Sequence, residues 1–246
     1  MFYYKFAFRF TKFINKIMNI LNPTWPKPNN IQAFTTLRNA NLSEFINTKK
    51  NIVFELKQEH GINILPANNL NLTPKADGSF TQQKNLACVV KTADCLPILV
   101  TNKQGSFVSA IHAGWRSLAK GIIANFFTQT KMLNLNHQDL LFWLGPAIGP
   151  LVFEVGEDVL EQFKILNTDL YKNAFNKISN TNKNNTTNKY LANIYKIAQI
   201  ALAQFNINSN QIFSENYCTY SQAELFYSYR REPSCSNRMF SVIWIN

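Results

Sequence analysis

The stretch that decides the fold covers residues 86–116 and reads LACVVKTADCLPILVTNKQGSFVSAIHAGWR. It contains three apolar runs typical of buried strands, and a short polar turn at 101–106 separates the second run from the third. This turn contains Gly105, which favours a β-hairpin as the connection. Cys95 and His112, two residues whose side chains can bind metals or act in catalysis, lie at the outer ends of the same hairpin.

Hairpin pairing predicts that these two side chains are neighbours. With the turn centred between Lys103 and Gln104, Cys95 falls opposite His112, and directly opposed Cβ atoms are about 4.5–5.5 Å apart. A thiolate and an imidazole at that distance can share one metal ion, with bonds of about 2.3 and 2.0–2.1 Å. A slip of one residue would point them to opposite faces, so the prediction depends on register.

Apolar patterns elsewhere predict a mixture of strands and helices. Strands are predicted at residues 51–56, 86–91, 96–100, 107–111, 140–144 and 240–245. Helical periodicity is found at 115–127, 157–166 and 189–205, and the Asn-rich segment 176–188 predicts a loop. With no internal repeat and no strong linker, residues 18–246 are predicted to form a single α+β domain of mixed β-sheets packed with helices.

Composition indicates a globular protein with an excess of positive charge. Of the 246 residues, 46% are hydrophobic and only 16% are charged, the reverse of a disordered chain. The net charge is +11, but no Lys/Arg run or nucleic-acid-binding motif follows the first 17 residues. We therefore expect no nucleic-acid partner, and a site for anionic small molecules explains the arginines at least as well.

Residues 1–17 form a basic, aromatic extension without acidic residues. We expect a non-essential extension, with translation starting at Met18. An amphipathic surface helix and a weak targeting peptide are the alternatives. The apolar residues are interrupted too often for a transmembrane span.

Four cysteines in a chain of this length, without a CxxC pair, predict free thiols in a reducing cytoplasm. Cys88 lies in an apolar run and is predicted to be core, whereas Cys218 is assigned a structural role. On its sequence alone, Cys95 could be a metal ligand, a buried thiol or a nucleophile beside His112. A thiolate committed to a metal is poorly available for attack, which favours the metal.

Five motifs carry the most specific information about function. They read QEHG at 58–61, TADCLP at 92–97, HAGWR at 112–116, GPAIGP at 145–150 and SYRR at 228–231. Together they resemble the family once described as polyphenol oxidase or laccase-domain-like. That family is now associated with purine nucleoside phosphorylase, adenosine deaminase and methylthioadenosine phosphorylase activities, and it includes a peptidoglycan editing factor. The resemblance extends from about Trp25 to Ile245 and implies a three-layer arrangement.

The resemblance implies a single zinc ion bound by His60, Cys95 and His112. Three protein ligands are typical of catalytic zinc, because the fourth position stays open. Copper is compatible with the same ligands, but one three-ligand site cannot supply the several coppers of a laccase. His137 is left as a surface residue.

Two reactions follow from the resemblance. In deamination, zinc would activate water for attack at purine C6. In phosphorolysis, phosphate attacks C1′ of the ribose, and arginines suit this dianion through forked, charge-assisted hydrogen bonds. The candidate phosphate-binding residues are Arg38, Arg116, Arg230, Arg231 and Arg238, of which Arg116 begins a predicted helix. We expect at least two of them to be structural.

Asp94 and Glu154 are the candidate acid–base residues. Neighbours on a strand point to opposite faces, so Asp94 could instead orient the hairpin without touching substrate. The sequence departs from the family before His60, where the stretch TTLRNANLS at 35–43 lacks the usual glycine pair and the following segment is shortened. This departure bears on Arg38 and on substrate range more than on the metal ligands.

The leading prediction is a zinc-dependent purine nucleoside phosphorylase that uses purine nucleosides and inorganic phosphate, with deaminase and methylthioadenosine phosphorylase activity in addition. One alternative is a copper-dependent polyphenol oxidase. Another is a peptidoglycan editing or cell-division factor with little nucleoside turnover. We expect a cytoplasmic monomer or small homo-oligomer.

Overall fold

The computed structural model of the chain describes residues 19–46, 50–68, 73–178 and 188–246. The predicted extension at 1–17 and most of the Asn-rich segment lie outside the described residues. Within the described part of the chain, no helix is both long and apolar enough to cross a membrane.

The described residues form fourteen strands and four helices. The strands are β1 Ile20–Leu21, β2 Ile31–Thr36, β3 Ile52–Phe54, β4 Ile64–Pro66, β5 Gly78–Thr81, β6 Leu86–Thr92, β7 Leu96–Asn102, β8 Val108–Ala113, β9 Leu140–Leu144, β10 Glu154–Gly156, β11 Phe175–Lys177, β12 Lys189–Ala192, β13 Ile212–Phe213 and β14 Met239–Ile245. The helices are α1 Trp115–Ala119, α2 Ile122–Thr130, α3 Glu157–Lys172 and α4 Ile194–Ala203.

The strands are arranged in three sheets. A five-stranded sheet has the order β1-β2-β14-β6-β3, a six-stranded sheet has the order β13-β9-β7-β8-β5-β4, and a small sheet has the order β10-β12-β11. Both large sheets are mixed, since β3 is parallel and β14 antiparallel to β6, and β13 is parallel and β7 antiparallel to β9. The predicted α+β architecture of mixed sheets and helices is therefore confirmed.

Strand alternation divides the interior into layers. Along β7, Leu96 and Ile98 join the cluster formed with the helices, whereas Leu99 joins the cluster formed with the five-stranded sheet. The six-stranded sheet is thus the middle layer, with helices on one face and the five-stranded sheet on the other. A third cluster, including Phe34 and Trp244, lies on the other face of the five-stranded sheet.

The prediction of a single helix at 115–127 is wrong. The chain forms α1 and α2, separated at Gly121, whose φ of +89° lies in the left-handed region. A residue in that conformation cannot continue a right-handed helix, and glycine adopts it without a Cβ penalty. The apolar stripe used for the prediction continues across the break because both helices pack on the same layer.

The predicted start of the helix at 189–205 is also wrong. Residues 189–192 form β12, which pairs with β10 and β11, and Asn193 then caps α4 by accepting a hydrogen bond from the Lys196 N–H. Pairing with two strands outweighs the local helical pattern. The helix predicted at 157–166 is found, and it extends to Lys172.

The β7–β8 hairpin forms, but its register differs from the prediction. Pro97, not Cys95, lies opposite His112, and the turn is centred between Gln104 and Gly105. The six-residue loop lies one residue further along the chain than predicted, at 102–107, where the Asn102 side chain accepts hydrogen bonds from the backbone N–H groups of residues 106 and 107. The shift in pairing is an even number of residues, so Cys95 and His112 keep the same face as diagonal neighbours.

Candidate metal centre and substrate cavity

The ligand atoms of His60, Cys95 and His112 all lie within 4.8 Å of one another. The Cys95 Sγ is 3.7 Å from the His60 Nε2, and the two imidazole centroids are 4.8 Å apart. Tetrahedral bonds of about 2.3 Å to sulfur and 2.0–2.1 Å to nitrogen separate the two ligand atoms by about 3.5 Å. The spacing and the soft nitrogen–sulfur donor set therefore fit a metal ion such as zinc.

Different elements bring the three side chains together. His112 is the penultimate residue of β8 and is buried, whereas Cys95 precedes β7 and is half-buried. His60 lies on the segment between β3 and β4, is exposed, and has a positive φ of +57°. Gly114 leaves room for the cluster, because a Cβ there would lie 3.0 Å from the Cys95 Sγ.

Among the described residues, no strand pairs with the QEHG segment at 58–61, and the Gln58 side chain takes the place of such a strand. Its Nε2 donates to the Lys91 carbonyl oxygen at 2.8 Å, and its Oε1 accepts from the Lys91 backbone N–H at 2.7 Å. The side chain thus makes the pair of hydrogen bonds that a neighbouring strand would make with β6. It fixes the path of the chain two residues before His60.

Asp77 is a site residue that the sequence analysis missed. Its side chain is 1% exposed, and it accepts hydrogen bonds from the His112 Nδ1 at 2.8 Å and from the backbone N–H groups of His60 and Gly61 at 2.9 and 2.6 Å. It lies far along the chain from both histidines and outside every motif. The available signal was an acidic residue directly before a buried strand, in a chain with 14 Asp and Glu residues.

The charges of the cluster are strongly coupled. Burial raises the pKa of Cys95, but the positive charge and hydrogen bonds of His112 and His60 outweigh it and lower the pKa to about 6. Burial lowers the pKa of His112, but the Cys95 thiolate and the Asp77 carboxylate outweigh it and raise the pKa to about 9. A metal ion would take the place of the protons that this thiolate–imidazole pair shares.

The cluster lies on the wall of a cavity of about 890 Å³. Three aromatic side chains, Trp115, Phe153 and Tyr229, line the same cavity, and of these Tyr229 is exposed whereas Phe153 is buried. The volume is within the range of small-molecule sites, and aromatic walls with a few polar groups are typical of them. The cavity is therefore the place where a substrate would meet the cluster.

Three of the five candidate arginines line this cavity: Arg116, Arg230 and Arg238. Arg116 lies over the Trp115 ring at 4.4 Å, and Arg230 donates to the Glu154 carbonyl oxygen at 3.0 Å. Arg238 donates to the carbonyl oxygens of residues 235 and 237. Among the described residues, none of the three forms an ion pair with a carboxylate, so their charge is available to an anion.

The other two arginines lie outside the cavity lining. Arg38 forms a two-pronged pair with Glu232 at 3.1 and 3.0 Å, and Arg231 contacts the same carboxylate at 3.1 Å. Arg231 also donates to the backbone carbonyl oxygens of residues 219, 220 and 226. Hydrogen bonds from Arg38 and Arg231 lower the pKa of Glu232. This geometry favours structural roles for both arginines.

The two candidate acid–base residues differ in their surroundings, although both line the cavity. Asp94 has a φ of +88°, and its carboxylate accepts hydrogen bonds from the Thr219 and Ser228 hydroxyl groups at 2.6 and 3.0 Å and from the Arg230 backbone N–H at 2.7 Å. Glu154 is exposed, with Lys189 Nζ 3.9 Å from its Oε1. Asp94 is thus engaged by the C-terminal segment, whereas Glu154 is open to the cavity.

The remaining histidine and cysteines agree with the expectations for them. His137 is exposed, and Cys88 is fully buried in the core between the sheets. All four cysteines are free. The Cys218 Sγ accepts a hydrogen bond from the Gly149 N–H at 3.2 Å, which joins the C-terminal segment to the GPAIGP loop.

Fold and site together define a single-domain α+β protein with one histidine–cysteine–histidine cluster beside an arginine-lined cavity. The profile of the family described as "multi-copper polyphenol oxidoreductase laccase" matches residues 20–246. The chain belongs to this family.

Relatives named as purine nucleoside phosphorylases are similar over most of the chain. A "purine nucleoside phosphorylase" of Haemophilus influenzae is 36% identical over 92% of this chain and 99% of its own length. The Escherichia coli "purine nucleoside phosphorylase YfiH" is 39% identical over 77% of this chain and 72% of its own length.

Solved structures share the fold. A Neisseria meningitidis protein with 30% identity has a TM-score of 0.80 and covers 93% of this chain and 99% of its own. YlmD from Geobacillus stearothermophilus has a TM-score of 0.82 at 19% identity, covering 93% of this chain and 96% of its own, and so shows the fold alone.

Proposed function

We propose that this chain is a zinc-dependent purine nucleoside phosphorylase. The observation that carries the proposal is that one cavity holds the His60–Cys95–His112 cluster together with three arginines that pair with no carboxylate of the described residues. The Haemophilus influenzae and Escherichia coli relatives are both named purine nucleoside phosphorylases, which supports the same reaction class.

The arginines suit the phosphate co-substrate. In phosphorolysis a phosphate oxygen forms a bond to C1′, the bond from C1′ to the purine nitrogen breaks, and the purine leaves with the electron pair and takes up a proton. The groups that hold phosphate near C1′ must carry a positive charge that no carboxylate of the protein already neutralises. Arg116, Arg230 and Arg238 meet this requirement, because guanidinium groups bind phosphate oxygens through paired, charge-assisted hydrogen bonds.

The aromatic side chains suit the purine. Tyr229 is exposed and offers a face on which a flat base can stack, while Trp115 and Phe153 line the same cavity. Glu154, exposed at the cavity, is the residue we assign to proton transfer to or from the base. When bound, zinc would supply a Lewis acid that polarises a substrate oxygen or nitrogen.

Adenosine deamination and methylthioadenosine phosphorolysis are proposed as further activities of the same cavity. Deamination replaces the 6-amino group with a water oxygen and releases ammonia, so it needs no phosphate. Both reactions would place a purine beside the same cluster. Zinc as the metal, cytoplasmic location and a monomeric or small homo-oligomeric state belong to this proposal as well.

The number of histidines argues against a copper oxidase, despite the description of the family as a multi-copper oxidoreductase. The whole chain has three histidines, and two of them are in the cluster. Among the described residues, this is the one group of three or more His, Cys, Asp or Glu residues close enough to hold a metal. A laccase needs several coppers, for which the chain has too few histidines.

The proposal is tested by measuring metal content and turnover on the same preparation. Elemental analysis should give about one zinc per chain, and chromatography should show phosphate-dependent release of adenine from adenosine. Inosine formed without phosphate would report deamination. Zinc without either product would favour the peptidoglycan editing or cell-division role, and several coppers with phenol oxidation would favour the polyphenol oxidase.

A further inference from the structure

We propose that Asp77 is the positioning residue that assembles the metal centre, by holding both histidine ligands with one carboxylate. The inference deepens the proposed function, since it rests on a metal ion bound by His60, Cys95 and His112. The sequence motifs contain all three ligands, but none of them contains Asp77.

The first contact fixes the His112 ring. Asp77 Oδ1 lies 2.8 Å from the His112 Nδ1, and both side chains are almost fully buried, at 1% and 3% exposed. A carboxylate only accepts, so Nδ1 must carry the proton and donate it, and Nε2 is left to face Cys95 and the metal. The backbone adds a second tie, because the His112 N–H donates to the Asp77 carbonyl oxygen at 2.6 Å.

The second set of contacts fixes the His60 segment. The Oδ1 that accepts from the His112 ring also accepts from the His60 backbone N–H at 2.9 Å. Oδ2 accepts from the backbone N–H groups of Gly61 at 2.6 Å and Glu59 at 3.3 Å. Three successive N–H groups thus converge on one carboxylate and hold His60 in its positive-φ conformation.

The glycine of the QEHG motif has a reason in this arrangement. A Cβ at Gly61 would lie 3.2 Å from the Asp77 Oδ2, closer than an ordinary van der Waals contact. The carboxylate can approach the backbone because the side chain is absent. Gly61 and Asp77 therefore act as a pair, although they are far apart in the sequence.

Charge is essential to this role. Every hydrogen-bonding partner of the Asp77 side chain is a donor, so an Asn at this position would turn an NH₂ group towards N–H groups. A carboxylate behind a ligating imidazole also raises the basicity of the ligand and fixes its orientation, and loss of such a partner costs about 10–100-fold in metal affinity.

The test compares zinc affinity in the wild type, Asp77→Asn and Asp139→Asn, measured by chelator competition on the full chain. Asp139 is a matched control, because its carboxylate accepts from Gln104 on the surface, away from the cluster. We expect about 10–100-fold weaker zinc binding in Asp77→Asn, at unchanged stoichiometry. The control should stay within about twofold of the wild type.

A second readout separates positioning from general stability. Cobalt(II) in place of zinc reports the ligand geometry through its visible absorption, which should shift in Asp77→Asn and not in Asp139→Asn. A purely structural role would lower the denaturation midpoint of the metal-free protein, leaving the zinc affinity of the folded fraction and the cobalt spectrum unchanged. That result would overturn the inference.

If Asp77→Asn does not fold, Gly61→Ala disturbs the same carboxylate from the other side. It should weaken zinc binding severalfold, and a folded Gly61→Ala with wild-type zinc affinity would overturn the inference. A wild type that binds no zinc would instead refute the proposed metal site, so the two failures are distinguishable.

Discussion

The two walls of the cavity are built in different ways. The metal wall, His60, Cys95 and His112 with Asp77 behind them, is anchored to β7 and β8 in the centre of the six-stranded sheet. The arginine wall is the segment 218–238, which carries Arg230 and Arg238. It consists of turns and one isolated bridge.

Each wall is organised around a carboxylate. Asp77 is 1% exposed and accepts hydrogen bonds from both histidine-bearing segments. Asp94 is half-buried and accepts hydrogen bonds from three residues of the arginine wall, including the Arg230 N–H. The difference teaches that the geometry of the candidate metal ligands depends on the sheet, whereas that of the candidate anion-binding arginines depends on a loop tied to the sheet at Asp94. We expect changes in the first wall to abolish the chemistry and changes in the second to alter substrate binding.

The largest effect is expected from removing a metal ligand. His112→Ala should lose zinc and lower kcat for phosphorolysis by about 10³-fold, which corresponds to about 4 kcal/mol of lost transition-state stabilisation. Steady-state kinetics and elemental analysis check this result. The control is His137→Ala, which changes an exposed histidine away from the cluster and should retain both zinc and turnover. Full turnover in a zinc-free His112→Ala would contradict the role of the metal wall.

The next largest effect is that of pH on zinc affinity, which depends on the protons that the metal wall holds because the arginines stay charged. With pKa values of about 9 for His112 and about 6 for Cys95, the metal-free pair holds one proton between these values and two below the lower one. Zinc displaces these protons, so its affinity falls as pH falls, by about tenfold per unit from pH 9 to 6 and more steeply below. Chelator competition at a series of pH values measures the slope. A flat profile between pH 8 and 6 would contradict the coupling.

A smaller effect is expected in the arginine wall. Arg230→Gln should raise KM for phosphate about 10–100-fold, the loss expected for a hydrogen bond to a charged group. Zinc content should not change. Arg38→Gln is the matched control, because its guanidinium pairs with Glu232 outside the cavity lining. If the control raises the KM for phosphate as much as Arg230→Gln does, the division between binding and structural arginines is incorrect.

The smallest effect is expected from Asp94→Asn. If Asp94 positions Arg230, KM for phosphate should rise about threefold to tenfold while kcat and zinc content stay near wild type, since only hydrogen bonds within the arginine wall are weakened. If Asp94 is a general acid or base, kcat should fall by about 10²–10⁴-fold instead. Separate measurement of kcat and KM distinguishes the two roles.

Much of the fold was predictable because strands are short and locally encoded. The strand at 140–144 and the start of the strand at 86 agree with the structure, since continuous apolar runs bounded by polar residues read as buried strands. Errors occurred where tertiary pairing or a single backbone conformation decided the outcome. Pairing made residues 189–192 a strand, and Gly121 divided one helix into two.

The hairpin register at the candidate site is a second feature that local sequence patterns did not predict correctly. The apolar pattern predicts that the strands at 96–100 and 107–111 pair, but the loop that joins them is shifted by one residue to 102–107, where the Asn102 side chain bonds the backbone of residues 106 and 107. Cys95 and His112 still share a face, because strand alternation has a period of two and the shift in pairing is even. The proximity of the two ligands was therefore predicted, and their direct opposition was not.

The sequence by itself determined the α+β composition and the hairpin, because alternation and turn residues are local properties of the chain, and its short motifs, through their resemblance to the family, pointed to the three side chains of the candidate metal cluster. Tertiary structure alone decided the contacts of Asp77, the division of five arginines between the cavity lining and the rest of the fold, and the engagement of Asp94 by the C-terminal segment. These features depend on contacts between residues far apart in the sequence, such as Asp94 with Arg230. No local pattern records such contacts, since they exist only after the sheets and loops have packed.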